Sequence, residues 1–242
     1  MSRRHTDTSG FSLMELMIVL VIVLAISAAI FQTINMTTQR SSTEQTKLDM
    51  FQESREFMDQ MSRDLRQAGY PNIHNMDYAA LSPAVQNPLM NDHRFAGGLI
   101  EVATGDLWFE GDVDGSGSVS VVRYHLDTST TNGCPCLRRS QVAKADGAPL
   151  SNSTFQYQVE VQGVQNSTIF SAYNNGTAVG LPVTISTASG STIASVDTVQ
   201  AVLSVKAATV DPQTRQYPTT TLVTTVRLNN CSQAAIGYKT SC

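Results

Sequence analysis

The chain has 242 residues, of which 15% are charged, and a net charge of −4 at pH 7. No basic stripe stands out, which argues against nucleic acid as a partner. Gly-x-Ser-x-Gly, His-Glu-x-x-His and phosphate-loop patterns are absent and the histidines (His5, His74, His93, His125) are scattered, so enzymatic activity is not expected.

Residues 1–10 (MSRRHTDTSG) are polar, with Arg3 and Arg4 set against Asp7. Residues 11–31 (FSLMELMIVLVIVLAISAAIF) carry one charge, Glu15. As a helix they span roughly 30 Å, the thickness of a bilayer core. By the positive-inside rule the two arginines place the leading segment in the cytoplasm, so the chain after about residue 32 faces outward. Two other readings compete. A secretory signal peptide wants a small-x-small cleavage site such as Ala25-Ile26-Ser27, yet the apolar run continues through Ile30 and Phe31. A simple one-pass anchor leaves Glu15 unexplained, since a carboxylate within an apolar helix costs about 2.5–3.5 kcal/mol on insertion scales.

Gly10 before Phe11, the apolar run and Glu15 five residues after Gly10 together resemble the signature of type IV prepilins. The resemblance implies cleavage between Gly10 and Phe11 by a membrane prepilin peptidase and N-methylation of Phe11. It also implies pairing of Glu15 with the Phe11 amine of a neighbouring subunit. A carboxylate neutralising that amine in an apolar layer rewards one axial stagger between subunits.

Neither Pro nor Gly occurs from Phe11 through Ala68. Beyond the membrane half (11–31), apolar residues recur at Leu48, Phe51, Met58, Met61, Leu65 and Ala68, a helical stripe with charges on the other faces. Gly69-Tyr70-Pro71 ends the helix by a left-handed cap and a proline stop. One helix of roughly 85 Å is expected, its amphipathic stalk half (32–69) lying on its own head rather than in a coiled coil.

Residues 70–242 read as a β-rich head. Alternating segments at 98–102, 106–110, 118–126, 136–140, 154–164, 182–186, 196–208 and 220–228 are candidate strands of an antiparallel sheet. The fold class is therefore α+β, a long N-terminal helix packed on an antiparallel sheet. Arg63-Asp64-Leu65-Arg66-Gln67-Ala68-Gly69-Tyr70 is similar to the stalk end of PilW-type minor pilins. Asp112–Gly117, Tyr124-His125-Leu126, Leu137-Arg138-Arg139 and Thr221–Asn230 resemble later parts of that group, and J-type minor pseudopilins of type II secretion share much of the plan. The resemblance covers residues 10–70 well and the head in patches. It implies a structural subunit that helps initiate or cap a pilus. Its partners would be other pilins, the prepilin peptidase, the inner-membrane assembly platform and, before assembly, membrane lipid. It would sit in the bacterial inner membrane with a periplasmic head and then in a surface pilus. A secretion pseudopilin, or a tip adhesin or DNA-uptake subunit, is the alternative. Many major pilins have a Pro in the outer membrane helix; its absence here favours a minor subunit.

All four cysteines, Cys134, Cys136, Cys231 and Cys242, follow the membrane segment, which fits disulfides in an oxidising compartment. The favoured pair is Cys231 with Cys242, closing a short terminal loop; Cys134 and Cys136 either close a small ring or pair elsewhere. Zinc is the lesser reading, because the spacing is Cys-x-Cys and no second pair follows. Asp112, Asp114, Ser116 and Ser118, with Gly117 at the sixth position, match the start of a calcium loop, with Glu110 nearby. The match breaks at the twelfth position, Arg123, and a polar hairpin turn uses the same residues. Calcium is thus a possible cofactor and no other is indicated. Arg138-Arg139 is expected to be a solvated strand end. The stretch 165–195, rich in Ser, Thr and Asn, reads as loop and exposed strand.

Overall fold

The computed structural model describes Gly10 and residues 12–71, 93–130, 134–146, 154–185, 192–212 and 214–229. One α-helix, α1 (Leu13–Gln67, 55 residues), carries the chain out of its N-terminus into a β-rich head. It starts at Ser12, whose hydroxyl accepts from Met14 N while Glu15 reaches back to the Ser12 N–H, a reciprocal capping box. It stops where Gly69 adopts φ +79° and Pro71 follows. From Leu13 to Met36 its large apolar side chains are 49–78% exposed, and no described residue of the head covers them. This is the one helix among the described residues long and apolar enough to cross a membrane.

The second half of α1 buries Ser54, Phe57, Met58, Met61, Asp64 and Leu65. The stripe read from sequence is thus correct from Met58 onward and wrong before it. Leu48 is 55% and Phe51 40% exposed, because Met50, Ser54 and Phe57 occupy the face turned to the head. At 3.6 residues per turn Leu48 points roughly 150° away from that face.

The head contains two antiparallel sheets where the sequence suggested one. The six-stranded sheet runs β5-β4-β3-β2-β1-β8, from β1 (Leu99–Ala103), β2 (Asp106–Gly111), β3 (Ser120–Asp127), β4 (Cys136–Ala143), β5 (Gln158–Gln162) and β8 (Val183–Thr184). The four-stranded sheet runs β10-β9-β6-β7, from β6 (Phe170–Asn174), β7 (Thr177–Val179), β9 (Thr198–Lys206) and β10 (Thr219–Arg227). The hairpin β6–β7 has no counterpart among the expected strands. Its turn is Asn175-Gly176, both at positive φ (48° and 80°), the backbone that a two-residue hairpin requires.

Period-two alternation sorts each strand into two faces. Leu107, Phe109, Val122, Tyr124 and Leu137 are fully buried on the side shared with α1. Phe57 of α1 meets Tyr124 edge-on at 5.6 Å, and Tyr124 stacks on Phe109 at 6.3 Å. The helix end is stitched to β2: Gly69 N donates to Glu110 O (2.9 Å) and Ala68 bridges to Gly111. A Cβ at Gly111 would lie 2.5 Å from Gln67 O, so only glycine admits the helix terminus this close.

Candidate functional site

At the N-terminus of α1, Gly10 has no heavy atom within 4 Å of where a Cβ would lie, so the backbone at the expected cleavage site is open. Phe11 lies outside the described residues. The Glu15 carboxylate accepts from Ser12 N at 3.1 Å. It therefore sits at the first helical turn, where the orphan N–H groups and the positive end of the helix dipole stabilise an anion. Sequence reasoning gave Glu15 a partner in another subunit and missed this one within the chain, although Ser12-x-x-Glu15 is the capping-box pattern.

Where stalk meets head, Asp64 of α1 projects into a buried polar contact. Tyr124 O–H donates to Asp64 Oδ2 at 2.7 Å, and Arg139 donates to the same oxygen through Nε (3.0 Å), with Nη2 ion-paired to it at 2.9 Å. The Arg139 side chain is only 13% exposed, which corrects the expectation of a solvated arginine pair. Arg139 lies opposite Tyr124 in the β3–β4 register, on the helix-facing side, while its neighbour Arg138 pairs with Asp127 at 3.0 Å. Burial, with Asp64's negative charge adding to it, holds the Tyr124 hydroxyl well above its usual range. Arg139 also donates to Gln141 Oε1 (2.8 Å), and Gln141 reaches Ser120 Oγ (3.3 Å) near the β2–β3 turn.

That turn is the calcium candidate. Asp112 accepts from Ser116 N (Oδ1, 3.0 Å) and Gly117 N (Oδ2, 2.9 Å), and Asp114 Oδ1 accepts from Ser116 N (3.0 Å). Ser118 N donates to Ser116 Oγ at 3.3 Å, and Gly115 and Gly117 take positive φ. These bonds make a side-chain-capped hairpin turn. Glu110, near in sequence, is not part of it. Its carboxylate is buried and joined to Lys144 Nζ (2.6 Å) and Gly97 N (2.8 Å). Arg123, at the loop's twelfth position, forks onto Asp106 instead, through Nε (2.8 Å) and Nη2 (2.7 Å).

Asp106 also contacts His125 Nδ1 at 2.8 Å. Burial pushes its carboxyl up, but the hydrogen bonds from His125 and Arg123 outweigh this and hold it below its ordinary value. The Arg123 guanidinium lies 5.5 Å from the Trp108 ring centroid and 5.2 Å from that of Phe155. This cluster covers the sheet face opposite α1 and was not legible as a unit in the sequence.

Cys134 and Cys136 are bonded to each other, with Cα atoms 4.5 Å apart. Asp127 brings a third possible ligand atom within 4.8 Å of the two sulfurs, but bonded sulfurs offer no thiolates to a metal. The favoured pair, Cys231 and Cys242, lies outside the described residues. Comparison with protein-family models and with curated proteins finds no match for this chain.

Proposed function

We propose that the chain is a minor subunit of a type IV pilus, made as a precursor, cleaved between Gly10 and Phe11, N-methylated on Phe11 and held in the inner membrane until assembly. The observation that carries this reading is the apolar half of α1. It stands clear of the head, its large side chains at least 49% exposed through Met36, and its one charge at the start is Glu15. A surface of that kind is stable in lipid or among other apolar helices, not in water. In lipid, Glu15 is tolerated at the helix start, where the capping box and dipole compensate it. In a filament of staggered helices, the same carboxylate exchanges the Ser12 N–H for the amine of an adjacent subunit's Phe11. The head then rides outside the bundle, its angle fixed by the Asp64–Tyr124–Arg139 contact.

The reading is tested by expressing the chain with and without a prepilin peptidase. Gly10→Val, which puts a branched side chain at the open cleavage site, should block processing. Glu15→Gln should be processed normally yet fail to enter filaments. Unchanged filament incorporation of Glu15→Gln would remove the registration role.

A further inference from the structure

A groove of ≈470 Å³ opens beside the Asp64–Arg139 contact, between the β2–β3 turn and β5. Its volume falls in the range of small-ligand sites. Asp114, Ser118, Arg139, Gln141, Gln158 and Glu160 are among its lining residues. Two of them are placed there by specific features of the fold. Arg139 is clamped from behind by Asp64, Tyr124 and Gln141, which use Nε and Nη2 and leave Nη1 without a hydrogen bond among the described residues. Glu160 is the extra residue of an irregularity in the β4–β5 ladder: Leu137 pairs with Val161 and Arg138 with Val159, so Glu160 has no partner across the strand.

Burial pushes the Glu160 carboxyl up, Arg139 opposing the shift. No hydrogen bond or ion pair to a described residue engages that carboxylate, nor the Gln158 carboxamide. The groove is therefore lined by one guanidinium nitrogen, a carboxylate acceptor and a carboxamide with capacity unspent. An anion meets Asp114 and Glu160, and a cation meets Arg139; the ligand that uses both donor and acceptor is one whose own groups do both. Sugar hydroxyls do.

We propose that this groove binds a short neutral glycan, with adjacent ring hydroxyls accepting from Arg139 Nη1 and donating to Glu160, and Gln158 completing the set. The site does not depend on the assembly reading above.

The test uses the full-length chain in micelles of a zwitterionic detergent, whose headgroup carries no sugar. Maltose, lactose and N,N′-diacetylchitobiose are titrated by saturation-transfer NMR. At least one should bind with a dissociation constant of about 1 mM or tighter. Glu160→Ala should weaken that binding at least about tenfold without lowering the melting temperature, and Glu160→Gln, which keeps an acceptor, should retain most of it. The proposal is overturned if none of the three sugars binds, or if binding survives Glu160→Ala. It is equally overturned if lysine methyl ester binds in a Glu160-dependent way and the sugars do not, which would make the groove a cation site.

Discussion

Replacing Asp64 with asparagine keeps the size of the side chain and removes the charge that two buried partners depend on. Tyr124 O–H at 2.7 Å and Arg139 Nε at 3.0 Å both end on Asp64 Oδ2. Hydrogen bonds to a charged group contribute about 1.5–3 kcal/mol each, and breaking a buried pair from one side costs about 3–5 kcal/mol. Arg139 opens onto the groove and recovers part of its solvation through water, so the expected loss is about 3 kcal/mol. For a head of this size that is a fall in melting temperature of about 6–12 °C. Trp108, the chain's single tryptophan and only 4% exposed, reports the transition by fluorescence during urea titration in micelles. A double-mutant cycle with Arg139→Gln should return a coupling above about 1 kcal/mol. A loss no larger than that of the exposed control Asp59→Asn, or a coupling near zero, would refute the claim that this contact fixes the stalk on the head.

Met61→Ala should cost about 2–5 kcal/mol, because Met61 is fully buried against the sheet, whereas Phe51→Ala, 40% exposed, should cost under about 1 kcal/mol; equal losses would restore the stripe as read from sequence. Asp106→Asn should lower stability by about 2 kcal/mol at neutral pH through its fork to Arg123. Because the folded carboxyl is held below its ordinary value, that contribution is present above about pH 3.9 and is lost as pH falls through the folded value. A wild-type-to-variant gap that widens in acid would contradict it. Asp112→Ala should cost about 1–2 kcal/mol by leaving Ser116 N and Gly117 N without acceptors. The same loss in chelator and in millimolar calcium marks a hairpin turn, and a loss seen only with calcium marks a cation loop.

The helix was legible because its signals are local. No Pro or Gly interrupts residues 11–68, and Gly69-Tyr70-Pro71 stops it where the backbone turns left-handed. The phase of its stripe was less so, since steps of three and then seven from Leu48 through Phe51 to Met58 drift around the helix, and Met50 rather than Leu48 falls on the face packed against the head. Most strands showed through their alternation. Their division into two sheets did not, because β1 pairs with the distant β8, and β6 with β9, which no local pattern encodes. The β6–β7 hairpin did carry a signal, Asn175-Gly176, masked by the polar composition around it. The stalk anchor joins positions 60 and 75 residues apart, all of types expected on a solvated surface. Only the register, which sets Arg139 opposite Tyr124, turns them into a buried contact. At the N-terminus the intrachain hydrogen bond of Glu15 did carry a signal, the capping-box spacing Ser12-x-x-Glu15, overlooked because the apolar run around it drew the reading toward a partner in another subunit.

The most direct test of the proposed role is the mass of the N-terminal peptide of the chain recovered from membranes of cells that contain a prepilin peptidase. A peptide beginning at Phe11 and carrying one added methyl group is the predicted result. A chain that still begins at Met1, or one cut after Ser27 as a signal peptidase would cut it, would contradict the account.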